Sequence, residues 1–201
     1  MACNYQGKIV TNGLVLCLDA ADKKSYPGSG TTWFDRSGSG NHLYWSSPAP
    51  SFTTYNNVPV ISTNPIYTSL RAAKSTTYNG MKTGTASYTV FTFFRPNQIT
   101  NNKMVISFGP ANNECDGRSV HPISIGASGK FVGGFCGAFG TWNDNTGATP
   151  TTDRFWNVCS TYDGATERVY VNGVFEKSAN YISNTPVSAA NAISLGWIRD
   201  D

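Results

Sequence analysis

Phe155-Trp156-Asn157-Val158-Cys159-Ser160-Thr161-Tyr162, closed by Asp163-Gly164, alternates cleanly along its length. Trp156, Val158, Ser160 and Tyr162 project to one side, and Phe155, Asn157, Cys159 and Thr161 to the other, which is the period of a strand with one buried face. Arg168-Val169-Tyr170-Val171 follows, turns at Asn172-Gly173 and returns as Val174-Phe175-Glu176. A two-residue Asn-Gly loop is the favoured type I′ hairpin turn, because both central residues need positive φ. This third of the chain therefore reads as consecutive antiparallel strands.

Working outward, the same grammar recurs and helical periodicity does not. Short runs rich in Val, Ile, Thr, Phe and Tyr are bounded by Gly, Asn, Pro or Ser, the pattern of a sandwich or barrel. The expected strands are residues 14–18, 42–45, 58–61, 87–95, 103–108, 120–125, 130–135 and 192–197. Residues 87–95 (Ser-Tyr-Thr-Val-Phe-Thr-Phe-Phe-Arg) are apolar on both faces, which predicts a central strand covered on both sides, and Pro96 ends it. Between the first strands lie Ser25-Tyr26-Pro27-Gly28-Ser29-Gly30 and Asp35-Arg36-Ser37-Gly38-Ser39-Gly40-Asn41. These are turn residues and not a phosphate loop, since no Gly-Lys-Ser/Thr follows and no helix begins.

The composition agrees. The chain has 201 residues, 39% of them hydrophobic and 13% aromatic, enough for a core without staples. No linker or repeat divides it, so residues 1–201 read as one domain with residues 1–12 as an N-terminal arm. Only 13% of residues are charged, and the net charge is +3. Lys and Arg are scattered (Lys8, Lys23, Arg71, Lys103, Arg118, Arg168), which gives no nucleic-acid footprint. No apolar run reaches the ~20 residues of a membrane span. The first residues lack the plan of a signal peptide, so the expectation is a protein outside the ordinary secretory route.

Cys17 and Cys159 fall inside apolar strand patterns and read as small buried hydrophobes. Cys115 and Cys136 flank a predicted strand and hairpin and come within reach of a disulfide, against which a reducing cytosol argues. No C-x-x-C spacing suggests zinc.

The spaced elements Phe155-Trp156-Asn157-Val158, Thr161-Tyr162-Asp163-Gly164, Val169-Tyr170-Val171-Asn172-Gly173 and Ser194-Leu195-Gly196 resemble the signature of laminin-G-like, concanavalin A-like domains. The resemblance implies an all-β fold, a two-sheet antiparallel jelly-roll sandwich. The opening Gly13-Leu14-Val15-Leu16-Cys17-Leu18-Asp19-Ala20, with Trp33 and the two Gly-Ser loops, is similar to laminin-G-like domains in virion proteins of tailed bacteriophages. That narrower likeness implies an external virion component, a decoration, fibre or tail-associated protein made in the host cytoplasm and released by lysis. Its partners would be other virion subunits, as a homo-oligomer or bound to the particle, with contact to host glycans. Relatives continue past Ser-Leu-Gly with a further strand beside the N-terminal one. An unpaired edge beside residues 14–18 would be an aggregation liability, so a neighbouring subunit or the arm is expected to cover it.

Catalysis finds little support. Glycosidases need two carboxylates about 5–10 Å apart, and glucanases of this fold carry Glu-x-Asp-x-x-Glu on one strand. Here Glu114-Cys115-Asp116-Gly117-Arg118-Ser119 replaces the last acid with Ser119, and Glu167 and Glu176 lie near the hairpin. His42 and His121 have no nucleophile motif beside them, so a non-enzyme is expected. No cofactor is expected; calcium would find hard oxygen ligands in Trp142-Asn143-Asp144-Asn145 and in Asp200-Asp201, which otherwise read as turn-forming residues. For a glycan, Trp142 with Asn143 and Asp144 in a polar loop is the leading platform, then Tyr44 beside Trp45, and Tyr78 beside Asn79. The alternative to a virion role is a soluble carbohydrate-binding module, and a glycoside hydrolase comes third.

Overall fold

The computed structural model describes residues 11–45, 50–62, 70–73, 78–81, 86–99, 103–109, 120–126, 128–135, 148–180 and 192–198. Among them every regular element is a strand: β1 (Thr32–Trp33), β2 (Leu43–Tyr44), β3 (Ser51–Tyr55), β4 (Val58–Ser62), β5 (Leu70–Ala73), β6 (Tyr88–Phe94), β7 (Lys103–Gly109), β8 (Val120–Ile125), β9 (Phe131–Phe135), β10 (Trp156–Tyr162), β11 (Thr166–Val171), β12 (Val174–Asn180) and β13 (Ala192–Ile198).

β10 buries every second residue along its length. Trp156, Val158 and, on β11, Val169 and Val171 face Ile106, Ile123, Ile125 and Phe131 in one apolar cluster. Those partners belong to a five-stranded sheet of order β5-β13-β7-β8-β9, whereas β10 and β11 belong to a four-stranded sheet of order β12-β11-β10-β6. The described pairings are antiparallel, and the result is a two-sheet sandwich. A second cluster, Leu43, Tyr78, Phe108 and Ile193, continues the core, with Leu16, Leu18, Tyr88 and Val90 packed on it.

The hairpin turn is as the sequence predicts: Asn172 and Gly173 have φ of 50° and 82°, and Val171 pairs Val174. A second turn of this kind, Asn56-Asn57 with φ of 49° and 62°, joins β3 to β4. β3, β5 and β1 were not among the expected strands.

Two expectations fail here for physical reasons. Residues 14–18 form no strand. Asp35 Oδ1 accepts the Cys17 N–H at 2.9 Å, Arg36 N–H donates to the Cys17 carbonyl at 2.8 Å, and Asn41 Nδ2 donates to the Val15 carbonyl at 2.7 Å. A loop, not a ladder, thus satisfies one side of this segment. The predicted central strand is instead the edge of its sheet among the described residues. Its inward residues Tyr88, Val90, Thr92 and Phe94 are half-buried, while Thr89, Phe91 and Phe93 are exposed.

The cysteine expectations also shift. Cys17 is disulfide-bonded, so it is not an inert hydrophobe; Cys159 is free and half-buried. Cys115 and Cys136 lie outside the described residues.

Candidate functional site: an aromatic sheet face

The outer face of the four-stranded sheet carries what the interior could not take. Directly paired residues on adjacent strands share a face, so the register Phe91↔Cys159, Cys159↔Tyr170 and Tyr170↔Phe175 sets these four side chains in one row. At about 4.8 Å between strands the row is about 14 Å long. Phe91 and Phe175 are 54% and 53% exposed, and Tyr170 meets Phe175 edge to face at 5.6 Å.

A second aromatic row runs beside it. Phe93, 54% exposed, stacks on Phe155 with centroids 4.8 Å apart and planes 13° apart. Phe155 meets Tyr55 at 5.7 Å, and the Arg95 guanidinium lies 4.0 Å above the Tyr55 ring. Tyr55 donates its hydroxyl to the Asp153 carbonyl at 2.9 Å, and Arg95 donates to the Thr152 carbonyl. These bonds fix the ring and the cation without using a charged partner.

Part of the charge near this face is internally paired. Arg168 pairs with Asp163 at 2.6 Å, and this hydrogen bond holds the Asp163 carboxyl down at about 2. On the same face Asn157 pairs with Phe93, and Thr89 and Thr161 form the next row on the other side of Phe91 and Cys159. A rigid aromatic patch rimmed by polar groups is the usual form of an interaction site, and aromatic rings offer flat apolar area with little conformational entropy to lose.

A smaller patch lies on the β1–β2 ribbon. His42 Nδ1 accepts the Asp35 N–H at 3.0 Å, which leaves the imidazole proton on Nε2. The His42 ring sits between Phe34 at 5.3 Å and Tyr44 at 6.5 Å.

Of the sequence-predicted site residues, Tyr44 is exposed (51%) and available. Tyr78 is not: it is 1% exposed, part of the second core cluster, and burial pushes its hydroxyl up to about 12. Its expected role as a glycan platform is withdrawn, because a ring packed in the core cannot meet a ligand at the surface. Trp142, Asn143 and Asp144 lie outside the described residues, as do Asp200 and Asp201. Among the described residues no cluster of three or more His, Cys, Asp or Glu could hold a metal. Asp35 illustrates why: burial raises its carboxyl, but hydrogen bonds from Ser37, Cys17 and Asn41 outweigh that and hold it low, so its oxygens are already occupied. Glu167, 2% exposed, points into the sandwich, where burial pushes it up to about 7 against hydrogen bonds from Ser160 and Tyr88.

The sheet face was missed in the sequence because residues 87–95 were taken as covered on both sides. The alternation of β10 and the hairpin held the signal: Cys159 and Tyr170 occupy outward positions, and Phe91 pairs with the first of them.

Comparison with known proteins adds to this geometry. Residues 68–200, well over half of the chain, match the concanavalin A-like lectin/glucanases superfamily. No curated protein sequence matches. Among solved structures, domain 4 of AbnA, a GH43 extracellular arabinanase from Geobacillus stearothermophilus, in complex with arabinotriose, is similar with a TM-score of 0.54 at 17% identity, over 77% of this chain and 69% of that one. The binding domain of Paraclostridial Mosquitocidal Protein 1 is similar with a TM-score of 0.57 at 13% identity, over 94% of this chain and 46% of that one; the chain thus spans less than half of that domain. At such identities these likenesses concern the fold. The register, the two facing sheets and the superfamily match agree: the chain belongs to the concanavalin A-like lectin/glucanases superfamily.

Proposed function

We propose that the protein is a non-catalytic carbohydrate-binding module whose ligand lies on the outer face of the four-stranded sheet. The observation that carries this reading is the pair of aromatic rows, Phe91–Tyr170–Phe175 and Phe93–Phe155–Tyr55, in which Phe91, Phe93 and Phe175 are exposed and Tyr170, Phe155 and Tyr55 half-buried. The C–H face of a sugar ring stacks on such rings while its hydroxyls reach Thr89, Asn157 and Thr161. The likeness to a module seen with arabinotriose supports it. Catalysis would need two exposed carboxylates, whereas Glu167 is enclosed between the sheets.

Affinity electrophoresis through soluble arabinan, xylan, galactan and β-glucan tests this. The protein should be retarded by at least one glycan, and Phe93→Ala or Tyr170→Ala should weaken retardation about tenfold, a loss of ~1.4 kcal/mol. Free migration in every gel would overturn the reading.

A second reading, an external virion component, is favoured by the edge position of β6, which lacks a pairing partner on one side among the described residues. It predicts a defined oligomer or particle-bound complex by light scattering, where the module reading predicts a monomer.

A further inference from the structure

The second aromatic row ends on a cation. Phe94 pairs with Trp156, and one step further the same register sets Arg95 opposite Phe155, on the outward side with Phe93. The side chains touch in sequence: Phe93 on Phe155 at 4.8 Å, Phe155 on Tyr55 at 5.7 Å, and the Arg95 guanidinium 4.0 Å above the Tyr55 ring. The charge is therefore continuous with the exposed rings.

Arg95 is held in place but not neutralised. One face of its guanidinium lies on Tyr55, and Nη1 donates to the Thr152 carbonyl. Tyr55 is itself anchored on the Asp153 carbonyl. A guanidinium has several further N–H donors, and no carboxylate among the described residues forms an ion pair with this one. The neighbouring acid, Asp153, is engaged elsewhere. The Thr151 hydroxyl donates to its carboxylate, and that bond, helped by the Arg154 charge, holds the carboxyl low. Arg154 in turn lies 4.1 Å over the Trp156 ring. Arg168, beyond Phe91 and Cys159 on the same face, is paired with Asp163.

A guanidinium already fixed by a ring and a carbonyl loses little further freedom when it takes a ligand. Its complement is a planar carboxylate, which accepts two parallel N–H bonds from one guanidinium edge. The hydroxyls of a neutral sugar would leave the charge uncompensated.

We propose that Arg95 makes this face selective for acidic glycans: a sugar stacked on the Phe93–Phe155 rings is recognised through its own carboxylate, held by the Arg95 guanidinium. This rests on the carbohydrate reading and adds the sugar class to it.

Isothermal titration of the full chain with trigalacturonate and with its methyl ester tests it, in about 0.15 M salt to screen unspecific attraction. The two ligands differ in the charge of the carboxyl group. The acid should bind about fivefold tighter than the ester. Arg95→Gln, whose amide can still donate to the Thr152 carbonyl, should remove that preference. Arg154→Gln takes away the same unit of charge nearby and should keep it. In the wild-type chain the Arg95 side-chain NMR signals should shift more with the acid than with the ester, which reads the contact without a variant. Sialyllactose against lactose, run alongside, separates a sugar-chain uronate from a terminal sialic acid; a preference carried by Arg95 in either pair supports the proposal. Equal affinity within both pairs, a preference that survives Arg95→Gln, or one lost equally in Arg154→Gln would each overturn it and leave the carbohydrate reading standing. Failure to bind any of these sugars or the neutral polysaccharides would overturn both.

Discussion

Ser160 donates its hydroxyl to Glu167 Oε1 at 2.6 Å in the interior of the sandwich. Glu167 sits opposite Tyr162 on the neighbouring strand, and Tyr162 packs against Tyr88 at 5.5 Å. A carboxylate there has hydroxyl donors but no described cation, so the neutral acid is favoured.

This arrangement predicts a stability profile. The folded Glu167 carboxyl titrates at about 7, above the ordinary 4.5. Its contribution is therefore full below about pH 4.5 and is lost as pH rises through 7, amounting to about 3 kcal/mol. Asp35 and Asp163, both held low, act oppositely and only under acid conditions. Urea denaturation at pH 5 and pH 8 should show the loss in the wild type and a nearly flat profile in Glu167→Gln.

Asn41 is fully buried. Its amide donates to the Val15 and Asn79 carbonyls at 2.7 Å each, and its oxygen accepts the Asn79 N–H at 2.8 Å. Asn41→Ala leaves three backbone groups unpaired and should cost about 3 kcal/mol. Asn41→Asp should fare no better, because a carboxylate cannot donate to two carbonyls. Thermal melts of both variants check this.

Gly80 has φ of 70°, and a Cβ there would meet Val15 Cγ1 at 2.8 Å. Gly80→Ala should destabilise by about 2 kcal/mol, from left-handed strain and the clash together. Val15→Ala in the same chain should relieve the clash and not the strain. A double-mutant cycle that gives no coupling between the positions would refute this account.

Cys159 lies in the middle of the aromatic row, between Phe91 and Tyr170, and burial pushes its thiol up. Iodoacetamide at pH 7.5 should alkylate it slowly. A retained glycan should slow the reaction further, about fivefold at saturation, and Phe91→Ala should speed it.

The sequence disclosed most where one face is buried and the other is not. β10 reads directly from Trp156, Val158, Ser160 and Tyr162, and the Asn172-Gly173 turn from its left-handed φ requirement. β6 misled because Phe91 and Phe93 are apolar yet outward; hydrophobicity alone cannot tell a covered face from an exposed one. Residues 14–18 misled because their partners are Asp35 and Asn41 side chains, and no periodicity announces a loop that imitates a strand. Tyr44 was legible as exposed, but Tyr78 was not legible as core, because its burial depends on Leu43, Phe108 and Ile193 from distant parts of the chain.

The two neighbours of β10 come from very different distances along the chain. β11 and β12 follow it through tight turns, whereas Phe94 of β6 pairs with Trp156 across 62 intervening steps, an excursion that builds β7, β8 and β9 of the other sheet. Closing that long loop costs entropy before any pairing repays it. The β10–β11–β12 meander is therefore the natural folding nucleus, and β6, although synthesised first, waits for it. Val171→Ala should slow refolding, while Thr92→Ala should mainly speed unfolding.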